Sequence, residues 1–166
     1  MLADPSSPVC RKPAGGVAAA EIAAVANIRE ALFDNPQSVE LHFADPNAVM
    51  KCQLLEDRSS FTEKLETDGR SATVRHTLRL VADRNLAQAW LDTAFTAELM
   101  CRGAVAAITL TDGRRLAIGL SRKFGTEQPL RLKSLTVDSG CKASDEPTVE
   151  LLLESVDTAF APQLTT

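Results

Sequence analysis

The two histidines are the residues of this chain best suited to acid–base chemistry. His42 and His76 both fall within predicted strands, and neither lies beside a serine, cysteine or carboxylate in a recognised motif. A catalytic base needs its partner within hydrogen-bond reach, and no spacing in the sequence indicates such a pair. We interpret both as ordinary strand histidines, predict no catalytic residues and do not expect an enzyme.

The cysteines are the residues best suited to metal binding. They are Cys10, Cys52, Cys101 and Cys141. No two of them have the Cys-x-x-Cys spacing from which zinc sites are usually built, so no metal site is predicted. Their even number permits disulfides, but we expect four reduced thiols, some of them in the core.

Two glycine-containing motifs could suggest a ligand loop, and neither is complete. Gly15-Gly16 lacks the preceding strand and the third glycine of a dinucleotide site. Asp112-Gly113 lacks the further carboxylates that a calcium loop needs. We therefore predict no cofactor.

The composition is that of a globular protein. Of the 166 residues, 45% are hydrophobic and 24% charged, with a formal net charge of −4, and a chain of this length can bury a core without disulfides or metal. Aromatic residues make up 4% and tyrosine is absent. These values argue against a base-stacking nucleic-acid platform and against general polyanion binding.

The sequence carries no targeting or membrane signal. The opening residues include Asp4, Pro5 and Pro8 where a signal peptide needs an apolar run. No stretch approaches the ~20 apolar residues of a membrane span. We expect a protein kept in a cytoplasm, or assembled there into something larger, with no membrane partner.

Prolines, glycines and alternating apolar residues divide the first third of the chain into elements. Residues 1–16 have no periodic pattern and predict a flexible N-terminal arm. Residues 17–32 (VAAAEIAAVANIREAL) fit either a helix or one or two short strands, and strands are favoured. Residues 38–43 (SVELHF) alternate as a half-buried strand, residues 45–47 form a turn, and residues 48–55 indicate a returning strand.

The middle of the chain contains the clearest strand and the one helix. Residues 56–71 are polar and predict either a long loop or a long hairpin with a tight turn at Asp68-Gly69. Residues 73–81 (TVRHTLRLV) alternate strongly. One face would carry Val74, His76, Leu78 and Leu80, and the other Arg75 and Arg79. Asp83 is predicted to cap a helix over about residues 84–99, with Trp90 as its largest core anchor.

The last third of the chain adds more strands. Residues 104–120 predict a hairpin around Asp112-Gly113, residues 130–137 and 149–156 two further strands, and residues 163–166 a short tail. Strands joined by short turns pair antiparallel, and so long a sheet must close or fold over to cover its edges. The predicted fold is α+β and mainly β: a single domain over residues 17–162, an antiparallel barrel or sandwich with one flanking helix.

Basic side chains cluster around the predicted hairpin. They are Arg114, Arg115, Arg122 and Lys123, with Arg131 and Lys133 expected nearby. Such a cluster is either a solvated sheet face or an interface for an acidic neighbour.

The order of these segments carries a family resemblance. The arm contains Cys10, Gly15 and Gly16, TVRHTLRLV precedes the helix, and AITLTDGRRLAIGLSRKF follows it. Taken loosely from Cys10 to Phe160, this layout resembles small structural proteins of tailed phages and prophages, especially tail-tube-like proteins from phages of Bacteroidetes-type hosts.

The resemblance implies a non-enzymatic subunit of a tail tube, related to the tubes of contractile injection and type VI secretion systems. Such subunits assemble into rings, usually hexamers, that stack into a hollow tube. Residues 1–16 and 56–71 would join one ring to the next, sheath or other tail proteins would be further partners, and DNA would be passing cargo only. The implied location is the virion, after assembly in the bacterial host cytoplasm. A lumen that passes DNA is typically acidic, and the net charge of −4 agrees with that.

Two other functions stay open at this point. A small binding module for a partner protein or ligand predicts a defined apolar cavity and a stable monomer or dimer. An enzyme would need polar residues that the fold brings together from separate strands.

Overall fold

The chain forms two β-sheets and one short α-helix in a computed structural model that describes residues 16–165. The first sheet has seven strands: β1 Val17–Ala24, β2 Ile28–Asn35, β3 Ser38–Phe43, β4 Met50–Cys52, β7 Ala104–Leu110, β8 Arg115–Ile118 and β11 Gln163–Leu164. The second has four: β5 Ser60–Thr67, β6 Ala72–Asp83, β9 Arg131–Asp138 and β10 Thr148–Asp157. The helix α1 spans Thr93–Cys101, and short 3-10 helices occur at Val25–Asn27, Pro46–Ala48 and Gln88–Leu91.

The strand order is that of a sandwich and not of a closed barrel. The large sheet has the order β2-β3-β11-β8-β7-β1-β4, and the small one β5-β6-β10-β9. Neighbouring strands pair antiparallel, except that β11 runs parallel to β3. The prediction of a mainly β fold with a single helix is therefore confirmed, and the sandwich is the form it takes.

The main core lies between the two sheets and is closed on one side by the helical segment. Leu78, Leu80, Leu151 and Leu153 of the small sheet are fully buried, as is Ile108 of the large one. Trp90 and Leu99, from the segment between the sheets, join the same cluster. A second cluster, which includes Val39, Val105 and Leu120, covers alternate residues of the large sheet.

The ambiguous residues 17–32 form strands, as favoured. Alanine and glutamate give this run a high helix propensity, but β1 pairs with β7 over nearly its whole length, from Val17 opposite Leu110 to Ala24 opposite Ala104. Burial between β7 and β4 outweighs a propensity of a few tenths of a kcal/mol per residue. Residues 1–15 of the predicted arm lie outside the described residues.

The predicted helix over residues 84–99 is wrong in its first half. Strand β6 continues to Asp83, whose carboxylate accepts from the backbone N–H of Asn85 (2.8 Å) in a turn. A 3-10 helix then places Trp90 in the core, and α1 starts only at Thr93. Its N-cap is Asp92, whose carboxylate accepts from the N–H of Ala94 (3.0 Å). Asp83 and Asp92 are both residues that favour an N-cap. Asp83 belongs to the sheet, where β6 pairs with β10, so the helix begins after Asp92.

Three other segments differ from or refine their predictions. Residues 56–71 form the hairpin alternative, because β5 pairs with β6 around a turn in which Asp68 accepts from the N–H of Ser71 (2.9 Å). The returning strand at 48–55 is only β4, and it pairs with β1. The predicted tail instead contributes β11, which lies between β3 and β8. No helix among residues 16–165 is long and apolar enough to span a membrane.

Gly119 is a position where the fold requires glycine. Its φ is +92°, and an added Cβ would lie 2.7 Å from the carbonyl oxygen of Ala104 and 3.0 Å from the N–H nitrogen of Leu130. These two backbones hydrogen-bond each other (2.8 and 2.9 Å), so neither can withdraw easily.

We expect Gly119→Ala to lower the free energy of unfolding by about 2–4 kcal/mol, since it adds a backbone clash to left-handed strain. Gly113→Ala is the matched control: its φ is +90°, but nothing lies within 4 Å of the added Cβ. It should lose only about 1 kcal/mol. Chemical denaturation of the two variants measures the difference, and equal losses would contradict the role of the close approach.

Candidate functional site: an open four-stranded sheet

The small sheet ends in two long strands that no described strand covers. β5 and β9 each have eight residues and form its outer edges. In the large sheet, edge strand β4 has only three residues, and β2 pairs with β3 through two register shifts. Short or irregular edges resist pairing with another chain, whereas long regular edges promote it. The edges of the small sheet are therefore the better candidates for contact with a partner.

Strand β5 is the more regular of the two edges. It pairs with β6 residue by residue, from Ser60 opposite Arg79 to Thr67 opposite Ala72, without a shift. β9 has one irregularity in its pairing with β10, and beyond it the register is regular up to Asp138. Each edge exposes a large apolar side chain: Leu65 on β5 is 51% exposed and Val137 on β9 is 43% exposed.

The two edges of this sheet run in opposite directions. Because the four strands pair antiparallel in the order β5-β6-β10-β9, β5 and β9 point opposite ways. A neighbouring copy in the same orientation would therefore bring its β9 antiparallel to β5. The sheet can continue from copy to copy with its own hydrogen-bond pattern.

Ion pairs connect the strands on the outer face of the small sheet. Arg79 of β6 binds Glu150 of β10 (Nε to Oε1, 2.9 Å), which lowers the pKa of that carboxyl. Lys133 of β9 donates to Glu154 of β10 (2.9 Å), and Arg75 of β6 also contacts Glu154. Together they lower the pKa of Glu154, with the hydrogen bond from Lys133 as the largest stabilising contribution and burial opposing it. Arg75 and Arg79 thus lie on the face opposite His76, as the alternation predicts.

The inner face of the same sheet carries a row of three polar side chains. Glu63 of β5, His76 of β6 and Ser155 of β10 lie directly opposite one another on adjacent strands. His76 is 2% exposed, and its Nε2 lies 3.0 Å from the carbonyl oxygen of Ala159 and 3.6 Å from Glu63 Oε1. Glu63 Oε1 also accepts from the N–H of Ala161 at 2.5 Å.

This row has the residue types of an acid, a base and a nucleophile, but its hydrogen bonds indicate a structural role. Both groups near His76 Nε2 are acceptors, so that nitrogen carries the proton. Among residues 16–165, His76 Nδ1 and Ser155 Oγ are both buried without a hydrogen-bond partner, so the hydroxyl is not within reach of the base. What the row does is attach the crossover at residues 158–162, which leads from β10 to β11, to the edge strand β5.

The sequence predicted no partner for either histidine, and the structure supplies one for each. Exposed His42 pairs with half-buried Glu40 (3.1 Å), and His76 lies 3.6 Å from Glu63. The neighbours of His76 come from β5 and from the crossover after β10. The alternation of 60–67 against 72–83 around Asp68-Gly69 is the one signal that could have placed Glu63 opposite His76.

The cysteines do not form a metal site within the described part of the chain. Cys52, Cys101 and Cys141 are free thiols, and no group of three potential metal ligands occurs among residues 16–165. Burial raises the pKa of Cys52 to about 12, although the Trp90 side chain hydrogen-bonds the sulfur. Cys101 and Cys141 are exposed, and Cys10 lies outside the described residues.

Comparison with known protein families, with curated protein sequences and with solved structures finds no match for this chain.

We expect Glu63→Leu to lower the free energy of unfolding by about 1–3 kcal/mol, because the buried end of the crossover loses the acceptor for the N–H of Ala161. Glu63→Gln keeps an oxygen at that position and should retain most of the stability. Hydrogen exchange should show the Leu variant opening first at residues 158–165. A similar loss in both variants would show that the charge of Glu63, and not its hydrogen bonds, is what matters.

The thiols should differ in reactivity. At pH 8 we expect Cys52 to react with iodoacetamide at least about a hundredfold more slowly than Cys101, because its raised pKa leaves little thiolate. Peptide mapping by mass spectrometry resolves each site, and Cys141 provides a second exposed reference. In denaturant the three rates should converge, and a fast Cys52 in the folded protein would contradict its burial.

Proposed function

We propose that this chain is a structural subunit of a phage tail tube or a related injection tube, which assembles into rings that stack. One observation carries the proposal: the four-stranded sheet ends in two long strands that run in opposite directions and that no described strand pairs on the outer side, although helix α1 contacts β9. An edge of this kind exposes a row of unpaired N–H and C=O groups. Pairing β5 of each copy with β9 of the next satisfies both rows at once.

The type of contact permits ring closure. An interface between β5 and β9 joins two different surfaces, so an open row of copies keeps one free edge at each of its two ends. Such heterologous contacts generate a ring when the rotation between copies closes, and an open helix when it does not. Within each copy, the outer-face ion pairs between β6, β9 and β10 hold the strands in register.

Two arguments support a tail tube in particular. One is the geometry of the edge strands, and the other is the resemblance in layout from Cys10 to Phe160. In this proposal the chain's main partner is itself, with sheath or other tail proteins as further partners and DNA as passing cargo. The protein would be located in the virion after assembly in the bacterial host cytoplasm. The resemblance predicts that residues 56–71 join one ring to the next. We propose instead that they join copies within a ring, because most of that segment is the edge strand β5.

The binding-module alternative predicts a defined apolar cavity. An apolar cleft lies between α1 and β1, lined in part by Ile22, Met50, Phe95 and Leu99. Its volume is about 100 Å³, well below the roughly 300–1,000 Å³ of typical small-molecule sites. A larger groove of about 420 Å³ lies at Pro36, Phe160 and Pro162, but it is a surface groove with exposed Arg122 and Lys123 along it. A ring-forming subunit is the function that the geometry supports better.

The edges can be tested with lysine substitutions. We expect the wild-type chain to form rings visible by negative-stain electron microscopy and by light scattering after size exclusion. Leu65→Lys on β5 and Val137→Lys on β9 should each weaken assembly about tenfold or more, since edge lysines oppose strand pairing.

Leu32→Lys is the matched control, because Leu32 is 43% exposed on β2, an edge of the other sheet. It should leave assembly unchanged. If Leu32→Lys alone disrupts the rings, the large sheet forms the interface. A wild-type chain that stays monomeric at high concentration contradicts the proposed function.

A further inference from the structure

The two ends of the four-stranded sheet differ in charge. At one end, the loop between β9 and β10 (residues 139–147) and the flanking Asp138 form an acidic end. Its exposed carboxylates are those of Asp138, Asp145 and Glu146, and Asp83 lies opposite Thr148 beside them. The basic residues at this end are Arg58, Lys142 and Arg84, whose backbone N–H donates to the carbonyl of Pro147. The eight-residue strand β9 separates this loop from the opposite end of the sheet, a distance of about 25 Å.

The opposite end carries a basic, partly apolar groove. Arg122 and Lys123 are exposed in the connection between β8 and β9, and neither forms an ion pair within residues 16–165. With Pro36, Phe160 and Pro162 they line a groove of about 420 Å³. The Phe160 ring is 55% exposed, which is high for a large aromatic side chain without a partner. The nearest acidic residues along the chain are Asp34, Glu127 and the buried Asp157.

The acidic loop is held in one conformation by its own carboxylates. Asp145 Oδ2 accepts from the N–H groups of Cys141 (3.0 Å) and Lys142 (2.8 Å), and these bonds lower the pKa of that carboxyl. Asp138 Oδ1 accepts from the N–H of Gly140 (2.8 Å), whose φ is +74°. A loop fixed in this way loses little conformational entropy when it binds a partner.

We infer that the acidic β9–β10 loop of one copy docks into the basic groove of the next copy along the strand direction, and that this contact stacks the rings. The occupant of the groove is thus a second copy of this chain, chosen because its acidic loop matches the charge of the groove. The inference rests on the proposed function and names the surface that joins one ring to another. The sequence left open whether the basic cluster is a solvated face or an interface for an acidic neighbour. For residues 122–123, the inference selects the acidic neighbour.

Ring closure and stacking use different surfaces in this arrangement. Edges β5 and β9 pair sideways, in the hydrogen-bonding direction, whereas the loop and the groove lie at the ends of the strands. Backbone pairing depends little on ionic strength, but contacts between exposed charges are screened at high salt. Raising the salt from about 0.05 M to about 1 M should therefore shorten stacks and leave rings intact.

The test is a charge reversal of the groove. At low salt, light scattering measures whether particles with the mass of a ring form, and electron microscopy measures the length of the stacks. The Arg122→Glu, Lys123→Glu double variant should still form rings but weaken stacking about tenfold or more, since each pair of exposed charges contributes modestly and every subunit of a ring repeats the contact. Glu146→Lys, at the other end, should weaken stacking in the same sense, and combining it with the double variant should restore part of the stack length.

A matched reversal controls for net charge. Arg29→Glu with Lys51→Glu changes two exposed basic residues of the large sheet and should stack like the wild type. Stacks of wild-type length in both the groove variant and Glu146→Lys would overturn the inference while leaving ring formation standing. A wild-type chain that forms no rings would overturn the proposed function, and the inference with it. If the groove variant does not fold by circular dichroism, Glu146→Lys alone decides.

Discussion

The pairing of β6 with β10 is the constraint on which the rest of the structure depends. Over ten consecutive residue pairs, Leu80 lies opposite Leu151 and Leu78 opposite Leu153, all four fully buried. Side chains alternate between the faces of a strand, so a slip of one residue would move this whole set to the solvent side. The same register sets Arg79 and Glu150 on the outer face and His76 and Ser155 on the inner one. Core, ion pairs and buried polar row are therefore all consequences of one alignment.

The two faces of the small sheet stabilise it in different ways. On the inner face, burial of leucine side chains contributes about 1.5–3 kcal/mol each and does not depend on salt. On the outer face, ion pairs that are each worth at most about 1 kcal/mol mainly restrict how the strands slide and twist. A sheet held this way can keep open edges without unfolding, because neither set of contacts needs the edge strands to be covered.

Local patterns predicted the elements well where burial is one-sided, and less well where distant strands decide. The alternation in residues 73–81 correctly predicted a strand, and Asp112-Gly113 correctly predicted a hairpin. Both signals lie within a few residues of the element that they predict. The helix start failed because Asp83 and Asp92 are equally good caps, and only the pairing of Asp83 with Thr148 excludes the first. Strand β11 was missed because two residues carry no period, and its position depends on Val39, far away in the chain. The contact between Glu63 and His76 was missed for the same reason: it exists only once the β5–β6 register is set.

Strand β11 has a consequence for the order in which the large sheet forms. It is the last strand in chain order, yet it lies inside the large sheet and bonds to β3, where Thr165 Oγ1 donates to a carbonyl 126 residues earlier. Contacts over so large a separation form late, because the chain must first close a long loop. During synthesis on a ribosome, β3 and β8 therefore cannot be joined through β11 until residue 164 has emerged. Since the crossover into β11 is the segment that binds Glu63 on β5, a chain synthesised only as far as β10 would lack part of the support for that edge strand.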